Sequence, residues 1–358
     1  MTRRAVHQVL VGAGRGDAIT SMAVTVRDAL RRSGPSEIYA HHLPHDIRDE
    51  VLPLTGLGRP KRGDLIVYHA SMGEPEVTRW LLSRPERLVV AYHNITPAQH
   101  FLEYEPQFAS NLFWGRHELT LIRDRVVLAV ADSTYNAHDL EAAGYTDVHV
   151  VPVGLKPSRL TNVAPAGALA ERIRRSFPHG YVLTVSQMLP HKRFETIVQA
   201  MHLVQWVHGV PLGLAIVGQP RMEKYQQALQ RQAQQLKLDR IWFFGGASEA
   251  ELATFYRMAS MYVVTSAHEG LALPPLEAMS FGIPVIARAA GALEDTIGGA
   301  GIVLPPTSGP ALLSEAITEV ANNSELRLGL QHLGTQRVAS IEIQDPAAKF
   351  MALLAEVS

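Results

Sequence analysis

Short apolar, β-branched runs alternate with amphipathic helical patterns along almost the whole chain, in two series divided by a polar stretch. That alternation leaves few folds open. The first series places strands at residues 6–11, 37–40, 65–69, 88–92, 127–131 and 148–152. The second places them at 182–185, 214–217, 241–244, 262–264, 285–287 and 302–304. Between them lie helical patterns such as "SMAVTVRDALRR" and "STYNAHDLEAAG", the latter opening on a serine cap and closing on glycine. Strands that alternate with helices predict parallel sheets covered on both faces.

Two such series predict an α/β protein of two doubly wound, Rossmann-like domains facing one another across a cleft, and 358 residues suit two cores better than one. The break is expected in "GLKPSRLTNVAPAGALAERIRRSFPHG", giving domains over 1–155 and 156–341. The segment "DPAAKFMALLAEV" reads as a last helix, within about 342–358, with the first domain as a candidate surface for it. Ligands are then expected at the carboxyl ends of the strands, in the cleft between the domains.

Composition narrows the partners. The formal net charge of −1 argues against a general attraction to nucleic acid or to a membrane surface. Basic clusters such as Arg27, Arg31 and Arg32, or Arg59, Lys61 and Arg62, fit solvated helix ends and loops, with contact to an anionic surface as the alternative. No cysteine occurs, which excludes disulfides and thiolate metal sites and favours the cytoplasm. The opening "MTRRAVHQVLVGAG" reads as a first strand rather than a signal peptide, and any membrane contact is expected to be peripheral.

Four motifs carry chemistry. In "LVGAGRGDAIT", Gly12, Gly14 and Gly16 are followed by Asp17, so the sixth position of the dinucleotide fingerprint is not glycine and that fingerprint fails. The turn reads either as a close backbone approach to a ligand or as a plain tight turn. In "AYHNITP", His93 and Asn94 follow directly on a strand, where a histidine can donate to a sugar hydroxyl or a phosphate oxygen. In "VSQMLPHKRFETIVQAM", Lys192 sits between a strand and a helix, a position that suits a diphosphate, or else is a solvated lysine. In "TSAHEGLALPPLEAMSFGIPVIA", a helix is expected to begin at Pro275, with the amides of Leu271, Ala272 and Leu273 exposed before it. Those amides and the helix N-terminus favour phosphate, while ionised Glu269 and Glu277 only accept and so suit hydroxyl groups on either side. A ligand with hydroxyls, phosphates and hydroxyls in that order is a nucleotide-sugar.

These segments resemble glycosyltransferase family 4, retaining enzymes of the GT-B fold. The likeness rests on the Glu-x7-Glu element at Glu269 and Glu277, the lysine region, "LAIVGQ", "FFGGASEAELATFYRMA" and "GALEDTIGGAGIVLPP". "GDAIT", "YHNITP" and "ADSTYNAHDL" are similar to the N-terminal half of one subset of that family. The resemblance implies that Glu269 holds donor-sugar hydroxyls, Glu277 the ribose diol and Lys192 the diphosphate, with His93 near the reacting sugar. It implies that Gly14, Gly16, Gly270, Leu271, Ala272 and Leu273 border the donor, and puts Asp17, Asn94 and Thr96 on the acceptor side. Two departures stand out. Ser186 and Gln187 replace a usual Gly-Arg, removing one expected phosphate-binding cation, with Arg193 or His191 as candidate replacements, and Ala272 replaces a usual glycine.

The resulting expectation is a retaining hexosyl transfer from a nucleoside diphosphate sugar to a hydroxyl acceptor, with no cofactor. No Asp-x-Asp pair occurs, so a metal-bridged diphosphate is not indicated and no metal site is expected. The alternatives are a nucleotide-sugar epimerase or phosphorylase of the same fold, a non-catalytic partner subunit, and a nicotinamide oxidoreductase, which the failed glycine spacing weakens.

Overall fold

The buried strands read as continuous apolar runs, as a sheet covered on both faces requires; "LIVYHA" is buried at every position. The computed structural model describes residues 4–59, 61–152 and 156–357, so the boundary expected at 155/156 and the first linker residues, 154–155, lie partly outside the described residues. In the first sheet β1 (Val6–Gly12), β2 (Ile38–His42), β3 (Leu52–Pro53), β4 (Leu65–Ala70), β5 (Arg87–Tyr92), β6 (Val126–Ala131) and β7 (Val148–Val150) are ordered β3-β2-β1-β4-β5-β6-β7. In the second, β8 (Tyr181–Val185), β9 (Gly213–Val217), β10 (Ile241–Phe244), β11 (Met261–Val264), β12 (Val285–Arg288) and β13 (Ile302–Leu304) are ordered β10-β9-β8-β11-β12-β13. The paired strands run parallel, so each sheet is doubly wound. The order reverses between β1 and β4 and between β8 and β11, and the carboxyl ends there are where such sheets bind ligands.

The chain divides into one unit of Met1–Leu155 with Gln344–Ser358 and another of Lys156–Ile343. The helix Pro346–Glu356 belongs to the first because its apolar face is core: Phe350, Leu353 and Leu354 pack with Val26, Leu30, Leu65 and Val67. Lys349 Nζ also donates to the Val150 carbonyl at 3.1 Å.

Local differences from the sequence pattern have physical reasons. β2 runs on to His42 because the polar residues of its end still pair with β1, His42 opposite Gly12. β3 carries no apolar alternation and includes Pro53, which the outermost strand tolerates because a donor there is not needed for the ladder. The helix expected to begin at Pro275 spans Leu273–Ser280 instead. Ala272, at φ 64°, turns the chain left-handed into it and Pro274 occupies the first turn.

Candidate functional site

In the second unit the loops after β8 and β11 meet where the strand order reverses. Lys192 Nζ donates to Glu269 Oε1 at 2.7 Å, and Ser266 Oγ donates to the same oxygen at 2.6 Å. Both charged side chains are mostly buried, 15% and 13% exposed. Bonds to main-chain carbonyls fix the two loops together: Thr265 Oγ1 donates to that of Lys192 at 3.1 Å and the Ala267 amide to that of His191 at 2.6 Å. Gly291 makes room for this, since a Cβ there would stand 2.1 Å from the Glu269 carbonyl oxygen, which accepts from the Ala292 amide at 2.9 Å.

Glu277 lies one turn into the helix Leu273–Ser280 and is buried. Its Oε1 accepts from Arg159 Nε at 3.0 Å and its Oε2 from the Tyr256 hydroxyl at 2.9 Å. Burial pushes its carboxyl above the usual range, opposed by the Arg159 charge. Arg159 also reaches Glu249 at 2.8 Å, so it has a second carboxylate to hold if Glu277 is claimed by something else.

Thus both glutamates of the Glu-x7-Glu element are held by a cation. A ligand that brings an anion and hydroxyl donors satisfies both halves of such an ion pair at once, the anion taking the cation and a hydroxyl taking the carboxylate. Gly270, Leu271 and Leu273 are partly exposed between the acids, with Leu271 fixed by a bond from Thr296 Oγ1 to its carbonyl at 2.5 Å. Ser186 continues β8 by donating its amide to the Val217 carbonyl at 3.0 Å, and Gln187 is exposed. Of the two candidate replacement cations, His191 is buried, and Arg193, at φ 54°, points to Glu195 at 3.4 Å.

In the first unit the predicted residues are less free. Asp17 caps the helix Ala18–Leu30, accepting from the Thr20 amide at 2.8 Å. Gly14 and Gly16 form, with Arg15, Thr20, Ser21 and Ile47, the wall of an open pocket of about 270 Å³; Gly16 sits at φ 75°, which explains glycine there. Asn94, at φ 76°, bends the chain after β5 and its Nδ2 donates to Asn136 Oδ1 at 2.9 Å; Thr96 follows, half-buried.

His93 is part of a buried hydrogen-bonded array that the sequence did not announce. Its Nδ1 is 2.7 Å from Asp132 Oδ2, its Nε2 is 2.8 Å from His69 Nδ1, and His69 Nε2 is 2.8 Å from Gln8 Oε1. The Ala23 carbonyl only accepts, so it fixes the Gln8 amide, whose Nε2 donates to it at 2.9 Å. Gln8 Oε1 therefore accepts from His69 Nε2–H. Burial, with the His93 charge adding to it, holds His69 well below the usual histidine range and so neutral. Its Nδ1 must then accept from His93 Nε2–H. Asp132 Oδ2 closes the array on the other ring nitrogen, His93 Nδ1. Its ring is 2% exposed with both nitrogens engaged, so donation from it to a ligand requires one of these bonds to break.

Among residues that motif reading overlooked are Arg159, Tyr256, Asp132, His69, Gln8 and Arg288. Asp132 and His69 could have been found as polar residues at strand ends; Arg159 and Gln8 carry no local signal. His41, His42 and Glu74 bring ligand-type atoms within 4.8 Å of one another. Within that group His42 Nε2 lies 3.5 Å from Glu74 Oε2.

Residues 171–336 match the family model described as "Glycosyl transferases group 1". The chain is 26% identical over 257 residues to the serotype-specific mannosyltransferase WbdA of Escherichia coli, a match covering 65% of this chain and 30% of that protein's length. Sucrose-phosphate synthase from Thermosynechococcus elongatus superposes with a TM-score of 0.76 at 18% identity over 99% of both chains. Anabaena Alr3699/HepE in complex with UDP-glucose gives a TM-score of 0.70 at 18% identity, over 97% of this chain and 99% of that one. At such identities the likeness shows the fold, which is of the GT-B class.

Proposed function

We propose that the chain is a retaining glycosyltransferase, moving a sugar from a nucleoside diphosphate donor to a hydroxyl acceptor, with the donor held by the second unit and the acceptor by the first. The observation that carries this is the Lys192–Glu269 pair at 2.7 Å, where the strand order of the second sheet reverses and within the segment matching group 1 glycosyl transferases. A relative named as a mannosyltransferase and a same-fold protein solved with UDP-glucose support this donor class.

In this reading Lys192 and the amides of Leu271 to Leu273 hold the diphosphate, Glu269 holds sugar hydroxyls and Glu277 the ribose diol. The bond from the anomeric carbon to the diphosphate oxygen breaks. The acceptor oxygen bonds to that carbon on the same face, and its proton passes to the departing phosphate. Negative charge therefore builds on the diphosphate, where a fixed ammonium and aimed amides stabilise the transition state most. Lys192 supplies the neutralisation for which no Asp-x-Asp metal motif is present in the sequence. The lack of cysteine supports a cytoplasmic location. Among the described residues no helix is long and apolar enough to cross a membrane.

Mass-spectrometric assay of the purified protein with a panel of nucleoside diphosphate sugars, with and without sugar acceptors, tests the reading. Acceptor-dependent release of a nucleoside diphosphate is the expected result. Turnover of donor alone points to the epimerase reading, and failure to bind any nucleoside diphosphate refutes donor binding altogether.

A further inference from the structure

Arg288 ends β12, the strand next to β11, and its guanidinium is buried where the second unit's loops converge, with the residue 8% exposed. A guanidinium has five N–H donors and never loses its charge in ordinary conditions. Among the described residues Arg288 makes one hydrogen bond, a long one of 3.4 Å from Nη2 to the Ser266 carbonyl, and its Nε has no partner. It forms no ion pair with a described residue. The acid whose charge favours it, Glu195, is already engaged by Arg193 at 3.4 Å and by the Tyr225 hydroxyl at 2.6 Å. Burial, then the like charge of Arg193, pull its pKa below the usual arginine range.

A buried cation with unmet donors, beside a second cation and with no acid of its own, is a costly arrangement that an anion relieves. Water would meet the donors but leave the charge unbalanced. The residue whose carbonyl Arg288 touches, Ser266, is the one whose hydroxyl donates to Glu269, the partner of Lys192. Arg288 thus touches the backbone of the Thr265–Glu269 loop that carries the partner of Lys192, reaching it from the strand that follows that loop in sequence. The exposed Gln187 leaves that site one cation short of the pattern the sequence resembles.

We propose that Arg288 is a phosphate-binding residue that takes phosphoryl oxygens of the nucleoside diphosphate alongside Lys192, in place of a cation at Gln187. This rests on the proposed donor site for the identity of the anion, though not for its existence.

The test measures binding of inorganic pyrophosphate and of uridine and guanosine diphosphates by calorimetry, with uridine and guanosine as controls, for the wild type, Arg288→Gln and Arg288→Lys. Arg288→Gln is expected to weaken pyrophosphate and diphosphate binding on the order of 10- to 100-fold, the loss of a charged hydrogen-bonded contact, and to leave nucleoside binding unchanged. Arg288→Lys is expected to recover part of the loss. Thermal melting separates this from a structural role: with no ligand, Arg288→Gln is expected to raise the melting temperature by removing an unbalanced buried charge, whereas loss of a structural prop lowers it. Unchanged anion affinity in Arg288→Gln, or a lowered melting temperature with unchanged affinity, overturns the proposal. Binding of pyrophosphate that depends on Arg288, with no binding of any nucleoside diphosphate, upholds the anion site and refutes the donor reading instead.

Discussion

The six strands of the second sheet follow the order of the first six of the first, which adds β7 at its edge, yet the carboxyl ends of the strands are furnished in opposite ways in the two units. In the second unit, ion pairs join segments distant in sequence: Lys192 with Glu269 between two loops, and Arg159 of the linker with Glu277 of the helix Leu273–Ser280. In the first unit, the strands end on a closed array from Gln8 through His69 and His93 to Asp132, in which every ring nitrogen already has a partner. On the proposed function the first arrangement gives way to a ligand, whereas the second holds the strand ends still. The array, with Asn94 tied to Asn136 and the Ile95 amide tied to the Tyr92 hydroxyl at 3.1 Å, keeps the turn after β5 in its left-handed shape. One fold thus supports both a grip and a fixed platform, and the difference lies in side chains rather than topology.

The largest effect is expected from Lys192→Ala. It should lower turnover about 100-fold or more, since a cation aimed at developing charge is lost, with a smaller change in donor affinity. Equal turnover in variant and wild type would make the second unit's ion pairs structural and erase the contrast.

Next comes a pH effect in the first unit. Glu118 is fully buried and burial pushes its carboxyl up from 4.5 to about 7, against hydrogen bonds from Thr78 and Tyr68. The native protein then keeps a proton that the unfolded chain has released, so this group's contribution to stability is present below pH 4.5 and is lost as pH rises to about 7. That loss is about 3 kcal/mol in all. Glu118→Gln should flatten the fall of melting temperature across the window; an unaltered slope contradicts the assignment.

Arg159→Ala should tighten nucleoside diphosphate binding by no more than about fivefold, because the ligand need no longer displace a guanidinium that is itself partly exposed. Weaker binding would mean that Arg159 is a ligand contact rather than a placeholder. Asp132→Asn should change that affinity least of all. The change acts on the array of the first unit alone, where it should lower the melting temperature; a loss of nucleoside diphosphate affinity as large as that of Glu277→Ala would contradict the contrast.

The contrast also explains what the sequence made legible. The alternation of strands and helices revealed both sheets because burial on two faces forces continuous apolar runs. The residues of the second unit's grip fall in two short segments, around Lys192 and between Glu269 and Glu277, where loop chemistry is readable locally. Arg159 and Arg288 escaped because they reach Glu277 and the Ser266 carbonyl from a linker and from the end of a strand. The first unit's array is the harder case. His69 and Gln8 are 61 residues apart and His93 and Asp132 39 apart, and each interrupts or ends an apolar strand where it reads as an ordinary core exception. Register across four parallel strands brings them together, and no window of sequence contains it.

The second unit's grip is tested most directly by calorimetric titration of uridine, guanosine, adenosine and thymidine diphosphates into the wild type and Glu277→Ala. The account predicts that at least one of them binds the wild type and that the variant holds it on the order of tenfold more weakly, a charged hydrogen-bond acceptor having been lost. Binding of none of the four, or equal affinity in both proteins, would contradict it.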